Sequence, residues 1–278
     1  MENIVVSDIL RQKEFRFNKA LGQNFIFDSN LLDAIVADSG VTRADTVVEI
    51  GTGAGTLTAR LAERAGKVFS FEVDERLKEV LDLTLRGREN VEVVFRDVMK
   101  MSDAEFRAVI GEGSFKVVAN LPYYITTPLI MRFIESGLAP DSLTVMVQKE
   151  VADRLRARCG TADYSAVTLA VEMFGDATVT RTVDRHMFRP APNVDSAVVR
   201  IDRVPERVAE GEVKAVKRAV RAAFAMRRKT LANNLSSAYG IPKAEASEIV
   251  ASCGFSADVR GERLTLDDFI RLSRALPR

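Results

Sequence analysis

The chain has 278 residues, 47% of them hydrophobic, with 40 Lys and Arg against 39 Asp and Glu. This is the composition of a soluble globular protein with one large domain, or a large one and a small companion; low-complexity and repeat architectures are excluded, and no apolar run reaches the roughly 18–20 residues of a membrane helix. A net charge of +1 leaves any polyanion site to local clusters of charge.

In chain order, the first stretch, MENIVVSDILRQKEF, mixes charges and lacks the apolar core of a secretory signal. VVEIGTGAGTLTARLAERAG reads as a strand over about 46–50, a glycine turn and a helix to about Arg64. KVFSFEVD is a second strand followed by a helix in ERLKEVLDLTLR, and VEVVFRD is a third strand. FKVVANLPY is a fourth, followed by a helix from about Thr127 to Ser136; LTVMVQ is a fifth, running into KEVADRLRAR. Continuous apolar strands alternating with helices predict parallel βαβ units in a doubly wound α/β sheet covered on both faces. ATVTRTV and DSAVVRID, with little room for a helix between them, predict an antiparallel pair at one edge. After RVPERVAEGE the character changes. EVKAVKRAVRAAFAMRRKTLANNL, PKAEASEIVASCG and LTLDDFIRLSRAL all read as helical, with Pro242 in a first turn, Gly254 as a stop, and a capping box from Thr265 to Asp268. A boundary near 204 divides a domain of residues 1–203 from a small helical domain of 204–278.

Cys159 and Cys253 lack metal-ligand spacing and read as reduced thiols of a cytosolic protein. His186, the single histidine, reads as structural or surface-exposed. Gly51 and Gly53 lie in a strand-to-helix turn that lets a ligand approach the backbone at a helix N-terminus. Glu72 ends the next strand, where a carboxylate can accept from both hydroxyls of a ribose. Together they indicate an adenosine-containing cofactor. Two details favour S-adenosylmethionine over a nicotinamide: Thr56 stands where a dinucleotide fingerprint wants Gly or Ala, and Asp97 ends the third strand where an adenine amino group could be bound.

NLPYY, from Asn120 to Tyr124, fits a methyl transfer. An adenine N6 amine is a poor nucleophile because its lone pair is delocalised. The Asn120 side-chain carbonyl and the Leu121 backbone carbonyl can accept its two N–H bonds and free that lone pair, Pro122 stiffens the turn, and Tyr123 offers a face for an extruded base. Lys214, Lys217, Arg218 and Arg221 recur at helical spacing, and with Arg227, Arg228 and Lys229 they form seven cations with no acid between them, a candidate phosphate-binding face. Arg11, Lys13, Arg16 and Lys19 are candidates for the same surface.

Five motifs in order carry a resemblance over nearly the whole chain. KALGQNFIFDSNLL, VVEIGTGAGTLT, NLPYYITTPL, FRPAPNVDSAVVRI and FAMRRKTLANNL are similar to the signatures of the KsgA family, bacterial dimethyltransferases that modify two adjacent adenines of small-subunit ribosomal RNA. The resemblance implies a Rossmann-like class I methyltransferase fold with an antiparallel edge strand, S-adenosylmethionine as cofactor and no metal. It implies cofactor contacts at Asn24, Ile26, Gly51, Glu72, Asp97 and Asn120, and a base-stacking role for Phe188. Thr52, Ala54, Tyr124 and Ile26 depart from the family's usual residues. The expected partner is small-subunit RNA within a pre-assembled ribosomal particle, and the expected protein is a cytoplasmic monomer without membrane contact. Alternatives are the Erm type acting on large-subunit RNA, a non-catalytic assembly factor, and a nicotinamide oxidoreductase, against which Thr56 counts.

Overall fold

A computed structural model describes residues 6–13, 15, 18 and 22–277; Arg16 and Lys19 lie outside the described residues. The elements run α1 (Val6–Gln12), β1 (Phe25–Ile26), α2 (Ser29–Ser39), β2 (Thr46–Ile50), α3 (Thr56–Arg64), β3 (Lys67–Glu72), α4 (Lys78–Thr84), β4 (Val91–Phe95), α5 (Asp103–Ile110), β5 (Lys116–Asn120) and α6 (Thr126–Glu135). They continue with β6 (Ser142–Gln148), α7 (Lys149–Leu155), α8 (Ala166–Phe174), β7 (Gly175–Val183), β8 (Phe188–Arg189) and β9 (Ser196–Arg203). The chain then ends in α9 (Val213–Ala223), α10 (Leu231–Tyr239), α11 (Lys243–Ser252) and α12 (Leu266–Ala275).

Two compact units result. One holds the residues up to Ala152 together with Ala177–Arg203; the other holds Asp153–Asp176 together with everything from Val204. The first is a seven-stranded sheet in the order β4-β3-β2-β5-β6-β9-β7, parallel from β4 through β6, with β9 antiparallel to β6. The antiparallel strand therefore lies one place inside the sheet, and β7 forms the edge. Strand alternation sends Val47 and Val68 to one face, where they meet Leu32, Ile35, Leu57 and Leu61 of α2 and α3. On the other face Phe106 of α5 is fully buried and sits 5.4–5.8 Å from the rings of Phe71, Phe115 and Phe133, in stacked, tilted and edge-on arrangements. Burial on both faces is why these strands read as unbroken apolar runs.

The second unit buries Val216, Val220, Leu231, Leu235, Phe269 and Leu272 with Tyr164 and Leu169 of the 153–176 segment. The expected division assigned that segment to the first domain. It belongs to the second unit because Tyr164 and Leu169 fill that unit's core, and the Tyr164 hydroxyl donates to the Leu264 carbonyl at 3.0 Å. The helical reading of 212–235 is corrected as well. α9 stops at Ala223 and an exposed turn follows, until Thr230 caps α10 by accepting from the Asn233 N–H. Buried Asn234 holds this turn: its Nδ2 donates to the carbonyls of Ala223 at 2.8 Å and Met226 at 3.1 Å. Thr265 and Asp268 form the expected capping box.

Replacing Asn234 by Ala strands two carbonyls of the turn. Urea unfolding is expected to register a loss of about 1–3 kcal/mol, the cost of buried acceptors left unpaired.

Candidate active site

Four parallel strands deliver the site at their C-terminal ends, where the order reverses between β2 and β5. The ends of β2, β3, β4 and β5, together with the segment entering β1, line a cavity of about 420 Å³, large enough for a small-molecule cofactor. Asn24, Ile26, Gly51, Gly53, Glu72, Asp97, Asn120, Leu121, Pro122 and Tyr123 all lie on its wall. His186 is an exposed turn residue that does not line it.

The glycine turn is shaped by its neighbours. Gly51 and Gly53 adopt φ of 82° and 55°, and a Cβ on Gly53 would stand 3.0 Å from the Phe25 ring, so a side chain there would be both strained and crowded. Glu72 pins the turn from below. Its carboxylate accepts from the N–H groups of Gly53 at 2.8 Å, Val73 at 2.8 Å and Asp74 at 2.9 Å. Burial pushes its pKa up, against the pull of those three bonds. Among the described residues only Gly53 donates to Oε2, so that oxygen keeps capacity to accept from a ligand hydroxyl. Asp97 accepts from the Met99 N–H at 3.0 Å, which turns the chain at the end of β4 and leaves the carboxylate's second oxygen 3.6 Å from Lys100 Nζ.

At the end of β5, Asn120 Nδ2 donates to the Asn24 carbonyl at 3.0 Å. A carbonyl accepts only from the nitrogen end of an amide, so this bond fixes which way the side chain faces. Its Oδ1 has no donor among the described residues, nor has the Leu121 carbonyl. Pro122 begins a tight turn in which its carbonyl accepts from Ile125 N–H and Thr126 Oγ1, both at 3.1 Å. The Tyr123 hydroxyl shares a 2.7 Å hydrogen bond with Ser196 at the start of β9, and burial raises its pKa, so the ring is anchored as a neutral phenol.

Phe188 is a correction. It is 2% exposed, opposite Ile26 in the two-stranded β1–β8 ribbon, and it packs in the core with Ile35 and Val198. It does not line the cavity, so its ring has no free face for a base. Sequence reasoning gave no role to Gln23, which donates to Asp74 at 2.8 Å and ties the segment before β1 to the end of β3. It also missed Ser196, Val73 and Met99; the last two are apolar side chains exposed on the cavity wall just after Glu72 and Asp97. Their position one and two residues after the strand-end acids was the available signal.

Of the seven cations in the second unit, Arg218 stacks on Tyr239 at 4.0 Å and Arg227 donates to the Ala162 carbonyl. Lys214, Arg221, Arg228 and Lys229 are exposed and Lys217 is half-buried. In the first unit Arg11 pairs with Asp8 and Lys13 with Glu79.

The sequence profile of the ribosomal RNA adenine dimethylase family matches residues 14–274. Proteins named ribosomal RNA small subunit methyltransferase A are 44% identical in Geobacillus thermodenitrificans and 40% in Clostridioides difficile, each over 97% of this chain and 94% of the relative. Among solved structures, a dimethyladenosine transferase from Plasmodium falciparum superposes with a TM-score of 0.73 at 26% identity, covering 89% of this chain and 95% of that one. The 23S rRNA methyltransferase ErmE superposes at 0.70 with 27% identity, covering 91% and 99%.

Beneath the cavity lies a polar cluster that sequence reasoning missed. Glu49 takes the next α3-facing place on β2 after Val47, and it is 1% exposed. Its Oε2 accepts from Thr58 Oγ1 at 2.5 Å and Ser70 Oγ at 2.6 Å, and Ser70 Oγ is 2.7 Å from Thr52 Oγ1 in the glycine turn. Thr52, a departure from the family pattern, thus joins the turn to the buried acid. Burial pushes the Glu49 pKa to about 8, with the hydroxyls opposing. The folded chain therefore holds a proton that the unfolded chain, with an ordinary carboxyl near 4.5, has lost. Stability from this group is full below pH 4.5 and falls as pH rises towards about 8. In Glu49→Gln, which keeps the shape without the charge, thermal melts between pH 5 and 8 are expected to show a flatter decline of Tm.

Proposed function

The chain belongs to the ribosomal RNA adenine dimethylase family, and on that premise we propose that it transfers methyl groups from S-adenosylmethionine to N6 of two adjacent adenines in small-subunit ribosomal RNA. The observation that carries the reading is the Asn120 amide. Its nitrogen is committed to Asn24, so Oδ1 is left to accept, beside a Leu121 carbonyl that has no donor among the described residues, on a cavity wall.

The cavity suits the cofactor. Glu72 Oε2 can take a ribose hydroxyl, Asp97 an adenine amino group, and Val73 and Met99 the ring faces, while Gly51 and Gly53 let the remainder lie against the backbone. The sulfonium supplies an electrophilic methyl group and leaves as a neutral thioether. The chain's own part is to accept the two N6–H bonds at Asn120 Oδ1 and Leu121 O, which draws the nitrogen towards tetrahedral geometry and localises its lone pair. The Tyr123 ring, anchored through Ser196, supports the extruded base. No general base is needed, since an alkylated amine surrenders its extra proton to water. After one transfer N6 retains a hydrogen and a lone pair, so a second transfer is open to it.

The cations of the second unit supply phosphate contacts, foremost Lys214, Lys217, Arg228 and Lys229, which have no ion-pair partner among the described residues. No described helix is long and apolar enough to cross a membrane. A cytoplasmic monomer acting on a pre-assembled small-subunit particle completes the reading. The large-subunit alternative draws on likeness to ErmE at 27% identity, against 40–44% for relatives named for the small subunit. The open acceptors at Asn120 and Leu121 weigh against a factor without catalysis.

Small-subunit particles from a strain lacking the modification, incubated with enzyme and S-adenosylmethionine, are expected to yield N6,N6-dimethyladenosine by nucleoside mass spectrometry. Monomethyladenosine as the sole product would refute the dimethylating assignment. Asn120→Ala is expected to lower turnover about 10²-fold at saturating cofactor. Changing Lys214, Lys217, Arg228 and Lys229 together to Glu should weaken RNA binding across sequences. It should also flatten the salt dependence by about 0.7–0.9 log units per lost contact, with cofactor affinity unchanged.

A further inference from the structure

Two tyrosines close the NLPYY turn, and they are used differently. Tyr123 is half-buried and its hydroxyl is taken by Ser196. Tyr124 is 58% exposed, and its hydroxyl has no partner among the described residues. Tyr124 nevertheless has a fixed seat. It lies in the short turn closed by the Pro122 carbonyl, and its ring edge rests against the backbone of Gly22, where a Cβ would come within 3.3 Å of Cδ1. Gly22 is in the left-handed region at φ 60°, and the absence of a side chain there admits the ring. The ring is also part of the wall of the cavity that holds Asn120 and Leu121. A held aromatic with an open face, two residues from Pro122 at the mouth of a base-accepting site, has the form of a stacking platform.

From this we infer that Tyr124 is a second base subsite, which stacks the purine adjoining the adenine undergoing methylation. The inference rests on the proposed substrate. When one of two adjacent adenines occupies the site, the other is one nucleotide away, and extrusion has cost it a stacking neighbour. The Tyr124 ring replaces that neighbour, lowering the cost of extrusion. The platform lies on one side of the target, so it takes the second adenine when one of the pair is being methylated and the next base along the strand when the other is. Because every base offers a π-face, the subsite selects for the presence of a base more than for its identity.

The test is a double substitution, in protein and in RNA, on small-subunit particles. Tyr124→Phe keeps the ring; Tyr124→Leu keeps apolar bulk and loses the π-face. The expected result is KM for RNA near wild type in the Phe variant and raised about tenfold in the Leu variant, with KM for S-adenosylmethionine unmoved in both. Particles carrying an abasic residue beside the target adenine, tried on each side, should cost the wild-type enzyme a similar factor on one side. On that side they should cost the Leu variant nothing further. Equal KM values for the Leu and Phe variants, or losses that multiply in the doubly altered pair, would overturn the subsite. Wild-type enzyme that leaves intact particles unmethylated would instead refute the substrate, and with it this inference.

Discussion

A parallel sheet covered on both faces leaves one place for functional polar groups: the ends of its strands. Everything about this site follows from that constraint. The first four parallel strands end in Ile50-Gly51, Glu72, Phe95-Arg96-Asp97 and Asn120, so the polar residues arrive side by side without any of them crossing the core. Glu49 is the exception. It sits inside an apolar strand, where hydroxyls of α3 and β3 bond it and the Ser70 hydroxyl passes the contact on to Thr52 in the glycine turn. An ionised carboxylate so enclosed would cost several kcal/mol in desolvation. Protonation removes that cost, and hydroxyl partners tolerate either form.

Within the cavity each key polar group spends part of its hydrogen-bonding capacity on the protein and keeps part open. Glu72 gives three acceptor positions to backbone N–H groups, Asn120 gives its donor end to Asn24, and Asp97 gives one oxygen to Met99. The spent half sets orientation and the open half meets the ligand. This arrangement lets a site act by preorganised acceptance, without a histidine base. It also links distant motifs, because the groups that do the orienting come from elsewhere in the chain. Asn24 fixes Asn120, and Gln23 reaches Asp74 from the same short segment.

The strands of the first unit were legible because a short, continuous apolar run bounded by turn residues can bury both its faces only inside a covered sheet. α8 was not. AVTLAVEMF is apolar nearly all round, so periodicity cannot separate helix from strand, and its cap at Ser165 reaches a Thr where the usual signature has Glu or Gln. The break between α9 and α10 depends on Asn234 reaching back 8 and 11 residues, and no local pattern announces it. In the site, Glu72, Asp97 and Asn120 could be read because strand ends can be read. The bond between Asn24 and Asn120 spans 96 residues, and the cluster around Glu49 joins residues 9 and 21 positions apart. Such partners become neighbours only once the sheet has formed. The burial of Phe188 is of the same kind, since it is set by a two-residue ribbon with β1.

The second unit is built from two stretches of chain, 153–176 and the residues from Val204. It is therefore not a cassette. Cutting the gene at 203 would leave Tyr164 and Leu169 without the core that encloses them, and grafting the C-terminal stretch onto another enzyme would transplant a core with a hole in it. During synthesis the early stretch must wait, its apolar side chains uncovered, while β7, β8 and β9 are made. The sheet can close before its companion does. Any lineage that exchanged the helical part would have had to change both stretches together, which ties the history of the helical unit to that of the sheet it interrupts.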